Sequence, residues 1–352
     1  MPTLDLAALH ATRGVDLTVW PPRYDPAYRP PPDEACWLPE VECAEPAARD
    51  TLVLAKLRRQ VRYAWEKSAF YPRTWEAAGV SPETLRSLED LARFPVVQKQ
   101  DLRAAQATAP PSGDYLCIEP AAVARIHGTS GTTGRPTVFG IGAEDWERIA
   151  AAHARILWGA GIRPGDRILI CSFFSLYLGS WGALAGGERL GATVFPFGAG
   201  AQGQTLQAVH WARDLRPSAF YGTPSTQLCD PETFRPLPYG AEGAPVYTHL
   251  ERTSQPVIRL VSGDRARWVD EPCPCGRTYP RLPRGLDGRF DDMIIVRGEN
   301  VYPGAIEDTL RAIDGFGGEF RVIVSRREAM DEKARRVIDD RDLYRQSLQA
   351  TR

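Results

Sequence analysis

Apolar side chains recur at helical spacing in several stretches of the chain and at every second position in others, and the alternation of the two patterns sets the architecture. Across residues 48–78, Leu52, Leu54, Leu57, Val61, Tyr63 and Trp65 fall near a helical repeat, with Asp50 as a candidate cap and Gly79 as the stop. SPETLRSLEDLARF opens with Ser81 and Glu83 in a capping pattern and predicts a short helix. Between Val123 and Pro224 the run VARIH, a Ser/Thr/Gly loop and the run PTVFGI lead into a helix from about Ala143 to Gly159, with Trp146, Ile149, Ala150, Ile156 and Leu157 on one stripe. DRILICSFF, SWGALAGGERLG, TVFPFG, QTLQAVHWARDL and SAFYGTP then read strand, helix, strand, helix, strand. This alternation predicts an α/β fold with a parallel sheet covered by helices.

The flanks read differently. Residues 1–48 carry WPPRYDPAYRPPPDEACWLPE, where prolines fix φ and remove backbone donors, so an extended arm wrapping a surface is expected. After Ser225 short β-type runs (YTHL, PVIRL, RARWV) follow, and the last segment (DMIIVRG, ENVYPG, AIEDTLRAI, EFRVIVSR) predicts a small α+β unit before a charged terminal helix. With 352 residues, two or three domains are expected.

Charge narrows the function classes. The 43 basic residues against 44 acidic ones give no field to attract nucleic acid or an anionic membrane, and no apolar run is long enough to span one. Seven cysteines, an odd number, form no disulfide framework, and with no secretory leader pattern at the start the cytoplasm is the expected compartment. Only four of the basic residues are lysines: Lys56, Lys67, Lys99 and Lys333.

The run His127-Gly128-Thr129-Ser130-Gly131-Thr132-Thr133-Gly134-Arg135-Pro136 carries the strongest chemical signal. Glycines let backbone N–H groups approach an anion, and the hydroxyls of Thr129, Ser130, Thr132 and Thr133 donate to phosphate oxygens. The pattern is not GxxxxGK[ST], so a P-loop is not indicated; composition alone also fits an ordinary Gly/Thr turn. HGTSGTTGRPT resembles the phosphate-binding signature of the adenylate-forming (acyl-CoA synthetase) superfamily, most closely its phenylacetate-CoA ligase branch. The similarity extends through LRRQVRYAWEKSAFYPRTWEAAGV, FPVVQKQDLR, FGAGAQGQT, AFYGTPS and GRFDDMIIVRGENVYPGAIEDTL.

The resemblance implies an adenylate-forming ligase-like large domain of α/β class over 49–288, shortened around 225–230, between the arm (1–48) and a small, truncated C-terminal α+β domain (289–352). It implies an acid-CoA ligase that uses ATP, Mg2+ and CoA. Thr129, Ser130, Gly131, Thr132, Thr133 and Gly134 would hold the β- and γ-phosphates, and Asp264 would accept from the ribose hydroxyls. Arg289 would fix the nucleotide and Asp291 would be the hinge. Phe197, Tyr221 and Gly222 would line the acyl pocket, among further strand-end aromatics (Phe173, Phe174, Tyr177, Phe195), most of which are expected in the core. The implied partners are a small carboxylic acid, aromatic by resemblance to the branch, and a nucleotide; homodimerisation stays open.

Two departures bear on activity. Between YGTPS, ending at Ser225, and Asp230 the branch carries a block with a tyrosine-glycine-x-threonine-glutamate motif whose glutamate helps hold Mg2+; here only four residues stand there. The branch's C-terminal adenylation lysine also lacks a clear counterpart, since no lysine lies between Lys99 and Lys333. An arginine would serve electrostatically, but the sequence does not single one out. A non-catalytic nucleotide-binding descendant and an adenylating enzyme with a non-CoA acceptor are the alternative readings. No metal ligand set is expected: Cys273 and Cys275 supply half a zinc site, and only Cys229 and His249 lie near enough in sequence to complete it. His153 and His210 are expected as packing residues.

Overall fold

The computed structural model describes residues 4–128, 137–170, 174–198, 205–219, 227–229, 240–283, 285–289, 294–296 and 299–301. The chain forms two units, one of Met1–Ser262 with Ala266–Gly285, the other of Gly263–Arg265 with Leu286–Arg352.

In the first unit, α1 (Leu6–Arg13) starts at Asp5, whose carboxylate accepts from Ala8 N at 2.9 Å, and stops at Gly14 in the left-handed region. The two-residue strands β1 (Val15–Asp16) and β2 (Arg23–Tyr24) pair antiparallel, and α2 (Pro39–Glu42) is one turn. The arm is therefore more structured than its prolines predict. Leu9, Val15, Leu17, Trp37, Leu38 and Val41 are buried in one core with Leu157, Trp158 and Ile168. Trp37 meets Trp158 edge-on with centroids 5.6 Å apart. The tryptophan and leucines between the prolines bury enough apolar area to anchor the segment.

The helix expected over 48–78 is two helices. α3 (Pro46–Lys67) buries Leu57, Gln60, Val61 and Ala64, and α4 (Phe70–Ala77) buries Phe70, Tyr71 and Trp75. They part at Ser68 and Ala69, where the N–H groups of Ala69 and Phe70 turn to the carbonyl of Asp114. In place of the helix expected after Ser81 stand two 3-10 turns, Pro82–Thr84 and Glu89–Arg93, before α5 (Lys99–Thr108). This half packs a second core in which Tyr71, Trp75, Phe94 and Tyr115 interleave with Leu57, Val61 and Leu102.

The central run follows the predicted alternation. β3 (Val123–Gly128) and β4 (Val138–Gly142) form an antiparallel pair, and α6 (Ala143–Gly159) follows directly. β5 (Arg167–Leu169), α7 (Leu178–Leu190) and β6 (Thr193–Phe195) make a parallel crossover, with Ile168 opposite Val194 and also bridged in parallel to Ala219, beyond α8 (Thr205–Leu215). Small residues let α6 and α7 approach closely: a Cβ on Gly182 would come within 2.3 Å of the His153 ring, and one on Gly186 within 2.5 Å of His153 Cβ. His153 is thus a packing residue, its Nδ1 donating to Ile149 O at 2.8 Å, whereas His210 is exposed. On α6 the buried positions are Asp145, Ala150, Ala151, Ala154, Leu157 and Trp158, while the predicted Trp146, Ile149 and Ile156 are half-buried.

A β-rich part closes the unit. β7 (Gln227–Cys229), β8 (Glu242–Tyr247) and β9 (Leu260–Val261) pair antiparallel, and β10 (Asp264–Arg267) pairs with β8 through Ala266 opposite Gly243. In the second unit lie β11 (Leu286–Arg289) and the antiparallel hairpin of β12 (Ile294–Val296) and β13 (Glu299–Val301). Among the described residues no helix is long and apolar enough to cross a membrane.

Candidate functional site

The Thr/Gly loop is carried by the β3–β4 pair. In register, His127 faces Phe139 and Gly128 faces Val138, so both strands end where the loop begins and returns; residues 129–136 themselves lie outside the described residues. The frame around those strand ends is tightly fixed. His127 is buried, its Nδ1 lies 3.2 Å from Leu176 O, and Gly128 N donates to the same carbonyl at 2.8 Å. Burial outweighs that hydrogen bond and lowers the His127 pKa, so the ring is neutral near pH 7. The ring stacks on Trp146 with centroids 5.8 Å apart, and the Arg125 guanidinium lies 4.0 Å from the Trp146 centroid. A side chain at Gly128 would bring its Cβ to 2.6 Å from Thr137 O, so the strands close here only with glycine. Opposite, Val138 O accepts from Gln106 Nε2 at 2.7 Å and from Tyr115 OH at 3.2 Å.

The free edge of β4 is held by the segment from Thr253 to Gln255. Gly140 N donates to Gln255 Oε1 and Gly142 N to Ser254 Oγ at 2.8 Å. That segment is pinned in turn by Asp145, 2% exposed in the first turn of α6. Asp145 Oδ2 accepts from Ser254 N at 2.6 Å and Thr253 N at 3.0 Å, and Oδ1 accepts from Arg148 Nη1 at 2.6 Å. Burial pushes its pKa up, but the hydrogen bonds from Ser254 and Thr253, with the charge of Arg252, outweigh it and hold Asp145 below the ordinary carboxylate range. Next to it a second, half-buried carboxylate, Glu251, accepts from Lys56 Nζ at 2.6 Å and from Tyr24 OH at 2.7 Å. It too is kept low against its burial, chiefly by Lys56.

Of the residues expected at the site, Thr129, Ser130, Gly131, Thr132, Thr133, Gly134, Tyr221, Gly222 and Asp291 lie outside the described residues. Asp264 opens β10, half-buried, after Gly263 at φ +84°, and Arg289 ends β11; both belong to the second unit. Phe197 belongs to the first unit, half-buried just past β6, in a run of rings in which Phe195 stands 6.1 Å from Phe197 and 5.5 Å from Trp211. Phe174 packs edge-on to Trp181, and Tyr177 is exposed. A cavity of about 580 Å³ lies between α1 and the β1–β2 hairpin, with Tyr24 and Tyr28 on its wall, and none of the expected site residues lines it.

The cysteines are arranged in a way the spacing did not reveal. Cys273 and Cys275 Sγ stand 2.7 Å apart, and Cys36 and Cys43 Sγ 3.5 Å apart. The turn at Gly276 lies over Cys43, and Arg277 bridges the segments by donating to Glu42 Oε2 at 2.8 Å and to Ala35 O at 2.7 Å. The candidate partner His249 is instead half-buried and neutral, its Nδ1 accepting from Val257 N at 3.1 Å and its pKa pushed down to about 3, chiefly by loss of solvent around the ring. Among the described residues no group of three or more His, Cys, Asp or Glu side chains is placed to hold a metal ion. Neither the Glu251–Lys56–Tyr24 cluster nor the Asp145 anchor was foreseen; a lysine in a chain with only four, and an aspartate just inside a helix start, were the available signals.

Comparison with known proteins identifies the class. The family model for the AMP-binding enzyme C-terminal domain matches residues 298–337. The solved 2-hydroxyisobutyryl-CoA ligase, in its postadenylation state with its acyl-AMP, superimposes with a TM-score of 0.83 at 43% identity, covering 90% of this chain and 84% of that one. The same ligase in its thioesterification state, with acyl-AMP and CoA, gives 0.75 at 44% identity, covering 88% and 82%. The phenylacetate-coenzyme A ligase of Thermus thermophilus is 30% identical over 390 residues, covering 88% of this chain and 86% of the relative. The chain therefore belongs to the adenylate-forming family of acid-CoA ligases, in its phenylacetate-CoA ligase branch. The span aligned with the Thermus ligase is longer than the 352 residues of this chain, so the relative carries positions within it that this chain lacks.

Proposed function

We propose that the chain joins a small carboxylic acid to CoA in two half-reactions: the carboxylate attacks the α-phosphate of ATP, pyrophosphate leaves, and the CoA thiol then displaces AMP from the acyl adenylate. The similarity to a ligase solved with its acyl-AMP, over nine-tenths of this chain, carries the reading. The described frame supports it chemically. β3 and β4 hold both ends of a loop whose residues 129–134 offer four hydroxyls and two glycines to a polyphosphate. Asp264 and Arg289 would take the ribose and the nucleotide, and Asp291 would be the hinge between the half-reactions. Mg2+ would enter with the phosphates of the nucleotide.

The acid is set by the rings after the strands, Phe197 among them with Tyr221 and Gly222. An aromatic acid follows from the phenylacetate-CoA ligases in the branch. A compact 2-hydroxy acid is favoured by the higher identity to the 2-hydroxyisobutyryl-CoA ligase. ATP–pyrophosphate exchange across phenylacetate, 2-hydroxyisobutyrate and short aliphatic acids decides between them and tests competence at once. Exchange with either acid class is the expected result. Nucleotide binding without exchange for any acid would instead support the non-catalytic descendant. Replacing Thr132 and Thr133 together by valine removes two donors to charged oxygens, each worth about 1.5–3 kcal/mol, and is expected to weaken ATP binding in calorimetry. Unchanged affinity would refute the loop assignment.

A further inference from the structure

Neither half-reaction uses the thiols of Cys273-Pro274-Cys275-Gly276, yet the fold gives them a fixed frame. Val269 and Arg281 bridge antiparallel at the base of their loop, exchanging two backbone hydrogen bonds of 2.9 Å. At the tip Gly276 N donates to Cys273 O at 2.9 Å, closing a turn with Pro274 at its second position, where the ring fixes φ, and Gly276 at φ +81°. The turn sets Cys273 Sγ 2.7 Å from Cys275 Sγ, both half-buried and so within reach of a small solute. The N-terminal arm holds the turn from the other side. Arg277 donates from Nε to Glu42 Oε2 at 2.8 Å and from Nη2 to Ala35 O at 2.7 Å, while Thr278 donates from N to Glu42 O at 3.1 Å and from Oγ1 to Ala44 O at 2.8 Å. Arm and loop thus clasp each other, with the Arg277 guanidinium held beside the Cys275 sulfur.

We infer that Cys273 and Cys275 form a peroxide-reactive dithiol, a site of reversible disulfide modification on the loop that the arm clasps. The Cys275 thiolate attacks the terminal oxygen of a hydroperoxide ROOH; the O–O bond breaks, the sulfur becomes a sulfenic acid, and the alkoxide takes up a proton and leaves as ROH. The Cys273 thiol then attacks the Cys275 sulfur and gives its proton to the departing hydroxide, so the S–S bond forms and water leaves. Two thiols lose two electrons in all, and the hydroperoxide takes them up as ROH and water. Other described thiols are less suited to start this. Cys36 and Cys117 are buried, and burial pushes each up to about 12, with the contact to Cys43 adding to it at Cys36. Cys275 runs the other way, since hydrogen bonds with Cys273 and Arg277 outweigh its burial and keep much of it thiolate near neutral pH. Among the described residues no third ligand joins the pair to hold a metal. A disulfide at a half-exposed loop tip is of the labile kind that thiols reduce again, which makes the change reversible.

The test uses the full chain, reduced with a phosphine, desalted and exposed to hydrogen peroxide. Remaining thiols are blocked with iodoacetamide, and the tryptic peptide from Trp268 to Arg277, which holds both cysteines, is mapped by mass spectrometry. That peptide is expected to become lighter by two hydrogen atoms and to escape alkylation before any other cysteine reacts, and dithiothreitol is expected to restore both alkylation sites. Cys273→Ser should stop the reaction at a sulfenic acid on Cys275, captured by dimedone. Cys275→Ser removes the thiol beside Arg277 and should slow oxidation of this peptide at least about 10-fold. If a serine variant folds poorly, the wild-type map decides alone. A peptide left unmodified at peroxide levels that oxidise N-acetylcysteine in the same tube would overturn the inference. So would a first disulfide between Cys36 and Cys43 or between Cys43 and Cys275. Stoichiometric zinc in the purified chain, released when the pair is alkylated, would also overturn it and assign the two thiols to a metal.

Discussion

Replacing Asp145 by asparagine tests the anchor that positions the β4 edge. The change keeps the shape but turns one acceptor oxygen into a donor and removes the charge. Oδ2 accepts from two backbone N–H groups and Oδ1 from Arg148, so whichever oxygen becomes the NH2, at least one buried donor faces another donor. A hydrogen bond to a charged group contributes about 1.5–3 kcal/mol, and breaking a buried pair from one side costs about 3–5 kcal/mol. With Asp145 2% exposed and Arg148 half-buried, little solvent screening reduces these values, and a loss of about 3–5 kcal/mol is expected at pH 7. The sign with pH follows from the lowered carboxyl pKa. A group whose folded pKa is depressed stabilises fully above its unfolded value, near 4, and loses that contribution as the pH falls through the folded one. The gap between wild type and Asp145→Asn should therefore be constant from about pH 5 to 7 and close below about pH 4. Urea unfolding followed by tryptophan fluorescence measures the gap, and hydrogen exchange of a peptide covering 250–256 shows whether Thr253 and Ser254 lose protection. A difference under about 1 kcal/mol at pH 7, or one unchanged from pH 7 to 3, would refute the argument.

Two further outcomes follow from particular contacts. Burial raises the pKa of the Cys275 thiol, but hydrogen bonds with Cys273 and Arg277 outweigh it and hold it at about 7, so its alkylation by iodoacetamide should accelerate through that pH. Arg277→Gln should move the midpoint upward, and no movement would show that the arginine is not responsible. Asp291→Pro fixes φ near -65° at the proposed hinge. It should spare ATP–pyrophosphate exchange and suppress thioester formation, and equal loss of both half-reactions would place the hinge elsewhere.

Periodicity was enough to read the elements that pack by one apolar face. The run from β3 through α8, including the bounds of α6, follows the pattern of its side chains, because strand and helix alike must bury one face on the neighbouring layer. It was not enough where long-range polar contacts decide. The break between α3 and α4 depends on the carbonyl of Asp114, over forty residues away in sequence, and the arm is held by Trp158, whose indole N–H donates to Glu34 O at 2.9 Å. Asp50, expected as a cap, lies inside α3, which begins instead with Pro46 at its first turn, where a missing N–H costs nothing. The phosphate loop was legible because its chemistry is local, a run of hydroxyls and glycines. The Asp145 anchor was not, because nothing in a string of letters marks which aspartate will be buried against the backbone of a segment more than a hundred residues away.

The segment from Thr248 to Arg259 shows why so much of the site is invisible to pattern. Its PVIRL reads as a strand, yet most of it has no regular structure, and a buried irregular backbone must find side-chain partners for groups that a sheet would pair. It finds them on nearly every neighbour. Glu251 goes to Lys56 on α3, Thr253 and Ser254 to Asp145 on α6, and Gln255 to Gly140 on β4, while Pro256 O accepts from Tyr71 OH at 2.8 Å on α4. At its end Arg259 takes a left-handed φ of 57°, and its buried guanidinium donates to Ala92 O and Phe94 O. A non-glycine residue held there costs about 1–3 kcal/mol, which persists only where the surroundings over-determine the conformation. These contacts make the segment a staple between the two cores and the loop-bearing strands.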